Sequence, residues 1–280
     1  MDIMKYAFYL PSIGLGGDAG FLSDLAVEAE RHGWDGFFIW DCLQWPGIEP
    51  CVDPWVALTA MAVRTERIVL GPMVTPLARR DIVKLARETI SLDRLSGGRL
   101  VLGVGLGVQD IPEWSGFGHE TDSRRRGEML DEGLDLLTAL WSGQPVNHNG
   151  AYYQVECEPF TQPAQIPRIP IWVGGKWPNK KPFRRAAKWD GVFPVATRSS
   201  ESGELSPADM EDCLGFIRGA GTQSDDYAVA VEGTTKDASD TAAVKRYAAS
   251  GVNWWLESGD DLMTSQEALM DRIRKGPPRN

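Results

Sequence analysis

The chain lacks long apolar runs, has few cysteines and histidines, and carries no excess of positive charge. No apolar stretch reaches the roughly 18 residues that a membrane-spanning helix requires, so a membrane protein is not expected. The four cysteines, Cys42, Cys51, Cys157 and Cys213, show no paired short spacing. They read as reduced thiols of a cytoplasmic protein, not as a disulfide or zinc framework. His32, His119 and His148 are scattered, and no His-x-His closes a strand. A metal-dependent hydrolase barrel is therefore not indicated, and no metal is expected. With 29 Lys and Arg against 39 Asp and Glu, the formal net charge is −10. Nothing points to nucleic acid or a membrane surface as partner, and the acidity reads as a solubility feature. Gly-x-Ser-x-Gly is absent and no His neighbours Cys42, which leaves nucleophilic catalysis without support. The opening MDIMKYAFYLPSIG has one lysine and a short apolar run, too little for a secretory signal.

What is present is a strand–helix rhythm. Residues 67–74 form an apolar, β-branched run suited to a strand covered on both faces. Ile82, Leu85, Ala86 and Ile90 then recur at helical spacing over residues 81–95. Ser96-Gly97-Gly98 stops that helix, and residues 99–104 make a second buried strand ending in Gly103-Val104-Gly105-Leu106-Gly107. A helix between two such strands implies a parallel, right-handed crossover. The same rhythm predicts strands at residues 5–10, 35–40, 169–173, 191–195, 227–231 and 252–256. Helices are predicted at residues 20–32, 122–142, 182–188, 207–219, 242–249 and 262–274. Another helix opens at Asp53-Pro54, an N-cap followed by a first-turn proline, and ends near Thr65. Only residues 147–160 depart from it: Asn149-Gly150, flanked by Val146, Tyr152, Tyr153 and Val155, predicts a small β-hairpin excursion. With eight strands and no break in composition, the expectation is one α/β domain over residues 1–280, a (β/α)8 barrel.

Active sites of such barrels lie where the strands end, which directs attention to the loops after strands one to six. The glycines at 103, 105 and 107 let a backbone approach a flat or anionic ligand, or simply make a tight turn at the rim. Gly174-Gly175 closes strand five beside Lys176, and two such strand ends favour a phosphate-bearing cofactor. Trp177 either covers that cofactor or packs the rim. A rival signal is Gly14-Leu15-Gly16-Gly17-Asp18-Ala19, which matches the dinucleotide fingerprint, with Asp41 ending the next strand. That would make a nicotinamide-dependent Rossmann dehydrogenase. The first glycine, however, falls past Pro11 and not at the strand's end, and no Tyr-x-x-x-Lys pair occurs.

The segment 67–107 closely resembles the luciferase-like flavin oxidoreductases, (β/α)8 barrels that use FMN or coenzyme F420. The similarity extends along nearly the whole chain, most strongly over residues 64–107 and 167–195. It implies a non-proline cis peptide at Met73-Val74, within Gly71-Pro72-Met73-Val74-Thr75-Pro76, supporting the cofactor ring. Gly105 and Gly107 would line that ring, while Gly174, Gly175, Thr197 and Arg198 would hold the phosphate; Lys176, beside the glycine pair, is either a further phosphate contact or a solvated rim charge. Asp41 and Trp45 match residues beside the ring and are the candidate catalytic groups. The sugar-phosphate dehydrogenases of this family place Asp-His after strand two and Glu after the strand-four glycines. Here those positions read Asp41-Cys42 and Val108, which puts their alcohol-oxidising chemistry in doubt. The resemblance thus implies an oxidoreductase or monooxygenase acting on a small molecule, with a flavin reductase as partner if FMN is used, and a homodimer. A flavin-binding barrel without turnover remains the other reading.

Overall fold

A computed structural model describes residues 4–108, 113–196, 205–221, 223–258 and 265–279. Eleven strands and eight α-helices are described: β1 (Lys5–Leu10), α1 (Ala19–Arg31), β2 (Gly36–Ile39), α2 (Pro54–Ala62), β3 (Val69–Pro72), β4 (Thr75–Pro76), α3 (Ile82–Leu95), β5 (Leu102–Gly105), α4 (Ser123–Trp141), β6 (Val146–Asn149), β7 (Gln154–Cys157), β8 (Ile171–Trp177), α5 (Lys180–Ala186), β9 (Gly191–Ala196), α6 (Pro207–Ala220), β10 (Ala228–Gly233), α7 (Ala242–Ala249), β11 (Trp254–Ser258) and α8 (Gln266–Arg274).

Apart from the β6–β7 hairpin, every strand pair is parallel, in the order β3-β2-β1-β11-β10-β9-β8-β5-β4. The two edges belong together: β3 and β4 are one strand interrupted at Met73 and Val74. Reciprocal hydrogen bonds, Leu70 N to Arg99 O and Val101 N to Leu70 O, close the circle beside β5. Counted so, eight strands form the expected (β/α)8 barrel. Closure excludes the Rossmann alternative, which requires an open sheet. Its glycine fingerprint has a packing role instead. A Cβ on Gly16 would lie 2.0 Å from the Pro11 carbonyl oxygen, and one on Gly17 2.1 Å from that of Pro50.

The helices are capped where sequence chemistry allows. Asp53, Asp81 and Asp122 each accept hydrogen bonds from first-turn N–H groups of α2, α3 and α4. After α3, Gly97 and Gly98 take φ of 70° and 85°, the left-handed turn that only glycine enters without a steric penalty. Between helices and sheet lies one large apolar layer. The barrel interior is a smaller, aromatic core in which Phe38, Trp172 and Trp254 meet with ring centroids 5.1–6.0 Å apart. This packing fills the middle of the barrel. Among the described residues no helix is long and apolar enough to cross a membrane.

Two expectations are corrected. β8 does not end before the glycine pair: it runs through Gly174, Gly175 and Lys176 to Trp177, in register with β9 as far as Ala196. Strand pairing there overrides the low β-propensity of glycine. The hairpin turn is also longer than a two-residue Asn-Gly turn, since Asn149 pairs with Gln154 and residues 150–153 form the loop. The cause is Glu132 on α4, whose carboxylate accepts from the N–H groups of Ala151, Tyr152 and Tyr153 and meets His148 Nε2 at 3.2 Å. Burial pushes this carboxyl up, but the Tyr153 N–H, His148 and the remaining donors outweigh it and hold it below its ordinary value. Because the folded value is depressed, its stabilisation is complete above the unfolded pKa of about 4.3 and is lost as pH falls through the folded one. Glu132→Ala is expected to lose about 1 kcal/mol at neutral pH. Chemical denaturation of both proteins should show that difference shrinking toward zero in acid.

Candidate functional site

One cavity of about 280 Å³ opens at the C-terminal ends of the strands. Its floor is aromatic and apolar: Tyr9 from β1, Phe193 from β9, and Met73 and Val74 from the interruption between β3 and β4. The Met73–Val74 peptide is cis, at the position the family resemblance implied. Tyr9 Oη donates to the Met73 carbonyl at 2.9 Å, so β1 holds this bulge from the side.

The glycines explain how the bulge is seated. A Cβ on Gly105 would lie 2.7 Å from Val74 Cγ2, and one on Gly174 would lie 2.7 Å from Val74 Cγ1. Both positions therefore stay bare to admit the Val74 side chain between β5 and β8. That role differs from the close backbone approach to a ligand expected from sequence, although both glycines also line the cavity. Gly175 is bare for a third reason: its Cβ would meet Pro182 Cβ at 2.3 Å, which lets α5 dock on β8. Gly107, at φ 72°, turns the chain away from β5 on the cavity wall.

Polar groups gather on one side. Asp41, just past β2, is 5% exposed. Its Oδ1 accepts from Arg79 Nη2 at 2.7 Å and from Arg80 Nη2. Arg79, fully buried on the short turn Leu77–Arg79, also pairs with Glu113 and donates to the Asp41 carbonyl oxygen. The second Glu113 oxygen accepts from Leu43 N at 2.9 Å. Two carboxylates and two guanidiniums thus neutralise one another in a nearly dry site. Asp41 Oδ2, in contrast, is buried without a hydrogen-bond partner, as are Trp40 Nε1 and Thr75 Oγ1. Trp40 and Trp45 pack at 5.6 Å and complete the wall above Asp41.

Of the residues singled out in the sequence, Asp41, Trp45, Met73, Val74, Gly105, Gly107, Gly174, Gly175 and Lys176 all line this cavity. Thr197 and Arg198 lie outside the described residues. Trp177 packs the rim: its indole lies against Phe183 and Phe216, under Lys180, on the helix side of β8. Sequence reading missed Tyr9 and Phe193, which sit within strands, because attention went to the loops that follow. It also missed Glu113 and Arg79, for which no local signal exists. Cys42 and Val108 do line the cavity where the sugar-phosphate dehydrogenases would have His and Glu. Among the described residues no three His, Cys, Asp or Glu side chains gather as a metal site would need.

An apolar, aromatic cavity lined by residues that carry a few unpaired polar atoms suits a heterocyclic cofactor. Comparisons with known proteins agree in fold. The chain superposes on an F420-dependent secondary alcohol dehydrogenase, in complex with an F420-acetone adduct, with a TM-score of 0.79, 15% identity and coverage of 99% of this chain and 100% of that one. A monooxygenase from Streptomyces bottropensis superposes with a TM-score of 0.75 and 18% identity, covering 97% of each chain. In sequence it is similar to the F420-dependent glucose-6-phosphate dehydrogenase of Nakamurella multipartita, 36% identical over 165 residues, 56% of this chain and 47% of that protein. The chain spans about half the length of the curated relatives it matches. The luciferase-like monooxygenase model matches residues 8–275, and with that extent of agreement the chain belongs to the luciferase-like monooxygenase family.

Proposed function

We propose that this chain is an oxidoreductase that binds reduced FMN or coenzyme F420 in the cavity above the barrel and acts on a small organic molecule. The observation that carries this reading is the seat of Val74 between Gly105 and Gly174, which raises a rigid ledge in the middle of an otherwise apolar, aromatic cavity. Met73, Val74, Gly105 and Gly107 would support the ring; Gly174, Gly175, Lys176, Thr197 and Arg198 would hold the phosphate end. When bound, the cofactor supplies hydride transfer or oxygen activation. The protein's part is to exclude water, with Tyr9, Trp40, Trp45 and Phe193, and to present Asp41 Oδ2 as an acceptor toward the substrate. Asp41 and Trp45 are the proposed catalytic residues.

The names of the curated relatives favour F420; FMN, with a separate flavin reductase, is the other cofactor that the family resemblance implies. Glucose 6-phosphate is disfavoured as substrate. Cys42 and Val108 replace its acid and base, and both oxygens of nearby Glu113 are already occupied. This last feature also sustains a second reading, cofactor binding without turnover, since both carboxylates at the cavity, Asp41 and Glu113, are held by arginines. A homodimer is proposed as well, supported by the exposed apolar side chains Val56, Val63 and Leu95 on and beside the packed helices α2 and α3.

Fluorescence titration of the purified protein with FMN and with F420 tests the reading. Micromolar binding of one cofactor is expected, with loss of the reduced form when an acceptor is added. Binding without consumption under any acceptor would select the second reading, and binding of neither would overturn both.

A further inference from the structure

Two cysteines that the sequence gives no reason to pair meet at the cavity wall. Cys42 follows β2 and lines the cavity; Cys51 lies at the far end of a loop that leaves the barrel and returns. The return is fixed by backbone bonding to the loop after β1. Ile13 bridges Cys51, Val52 N donates to Ser12 O at 3.0 Å, and Gly14 N donates to Pro50 O at 2.8 Å. As a result Cys51 Sγ lies 3.6 Å from the Cys42 carbonyl oxygen, and Cys42 Sγ lies 3.6 Å from Ser12 Oγ. Cys51 donates its thiol hydrogen to that carbonyl oxygen, and each thiol is the leading influence on the other's ionisation. Both are free in this structure, with Cys42 buried and Cys51 half-buried.

We propose that Cys42 and Cys51 form a peroxide-reactive dithiol at the mouth of the cavity, a modification site separate from the proposed catalytic groups. Small hydroperoxides, hydrogen peroxide first, are the class of oxidant it takes. The roles follow from the surroundings. The influence of Cys42 favours the thiolate of Cys51 and, against the opposing effect of burial, holds its pKa below the ordinary thiol value. The influence of Cys51, together with burial, pushes Cys42 up. Cys51, the more accessible sulfur, is therefore the easier of the two to ionise.

In the first step Cys51 Sγ attacks a peroxide oxygen. The S–O bond forms, the O–O bond breaks, and hydroxide leaves and takes up a proton as water, giving a sulfenic acid at Cys51. In the second step Cys42 Sγ attacks the Cys51 sulfur. The S–S bond forms, the S–O bond breaks, and the departing hydroxide carries off the Cys42 proton as water. Two thiols are oxidised to one disulfide while one hydrogen peroxide is reduced to two waters. The product joins both ends of the segment that carries Trp45 and removes a thiol from the cavity wall, so the oxidised protein has an altered mouth.

Two other cysteines provide internal comparison. Cys213 is buried on α6, and burial pushes its pKa up to about 12. Cys157 is half-buried at the end of β7.

The test uses the full chain, reduced, freed of reductant, exposed to hydrogen peroxide and quenched with N-ethylmaleimide. No Lys or Arg separates Cys42 from Cys51, so one tryptic peptide between Arg31 and Arg64 contains both. That peptide is expected to lose both alkylation sites and about 2 Da relative to its dithiol form, at least about tenfold faster than Cys157 or Cys213 is oxidised. Cys42→Ser should instead leave a Cys51 sulfenic acid that dimedone traps, and Cys51→Ser should leave Cys42 alkylatable. Oxidation of Cys157 at an equal rate, or Cys51 carried to the sulfinic acid in the native chain without a bridge, would overturn the proposal. Peptide mapping of the native chain decides the matter even where a variant fails to fold.

Discussion

Replacing Arg79 with methionine is expected to destabilise the protein by about 3–5 kcal/mol, the usual consequence of leaving buried carboxylates without their cation. Asp41 and Glu113 would then face each other across a nearly dry site with only Arg80, which is partly exposed and touches Asp41 alone, to compensate. The shift is read as a lower urea midpoint at unchanged slope. The charge explanation has its own control. Adding Asp41→Asn and Glu113→Gln to the methionine variant removes the stranded charges and should recover a large part of the loss. If the triple variant is no more stable than Arg79→Met, packing by the guanidinium against Trp114, 5.9 Å away, accounts for the effect instead. Turnover should not return with stability, because the Asp41 carboxylate proposed to face the substrate is uncharged in the triple variant.

Gly174→Ala is the second large effect. One added methyl would stand 2.7 Å from Val74 Cγ1, while its next contact, Val104 O, is an ordinary 3.6 Å away. Val74 must move, and with it the ledge in the cavity. Overpacking of this kind destabilises by about 1–3 kcal/mol. Cofactor affinity is expected to fall by more than about tenfold, the equivalent of roughly 1.4 kcal/mol. Because the clash involves one side chain, Val74→Ala in the same molecule should suppress it. The double variant is expected to bind more tightly than Gly174→Ala alone, a non-additivity that contacting residues show and distant ones do not. Unchanged binding in the single variant would mean the ledge has no part in holding the cofactor.

Much of the barrel was legible because its signals are local. β1 and α7 fall at the residues that periodicity predicts, and Asp53 caps α2 as its position before a proline suggests. The candidate cavity residues were legible in part for the same reason: a barrel brings strand ends together, so glycine-bearing and aromatic strand ends converge. The misses have non-local causes. β8 continues through two glycines because β9 offers backbone partners. The hairpin loop widens because a carboxylate on α4, far away in sequence, draws in its N–H groups. Cys42 and Cys51 look unrelated until the loops after β1 and β2 are bonded together.

The sequence by itself determined the alternation of strands and helices, the parallel barrel and the strand ends where a site would lie, since these depend on burial periodicity and capping along a continuous segment. Only the tertiary structure decided what those positions do. Gly105 and Gly174 accommodate Val74, Asp41 is neutralised on one oxygen and unpaired on the other, and two thiols become neighbours. Each of these depends on steric exclusion or on charges and hydrogen bonds between residues far apart in the chain, and such interactions act only over the few ångströms that folding brings about.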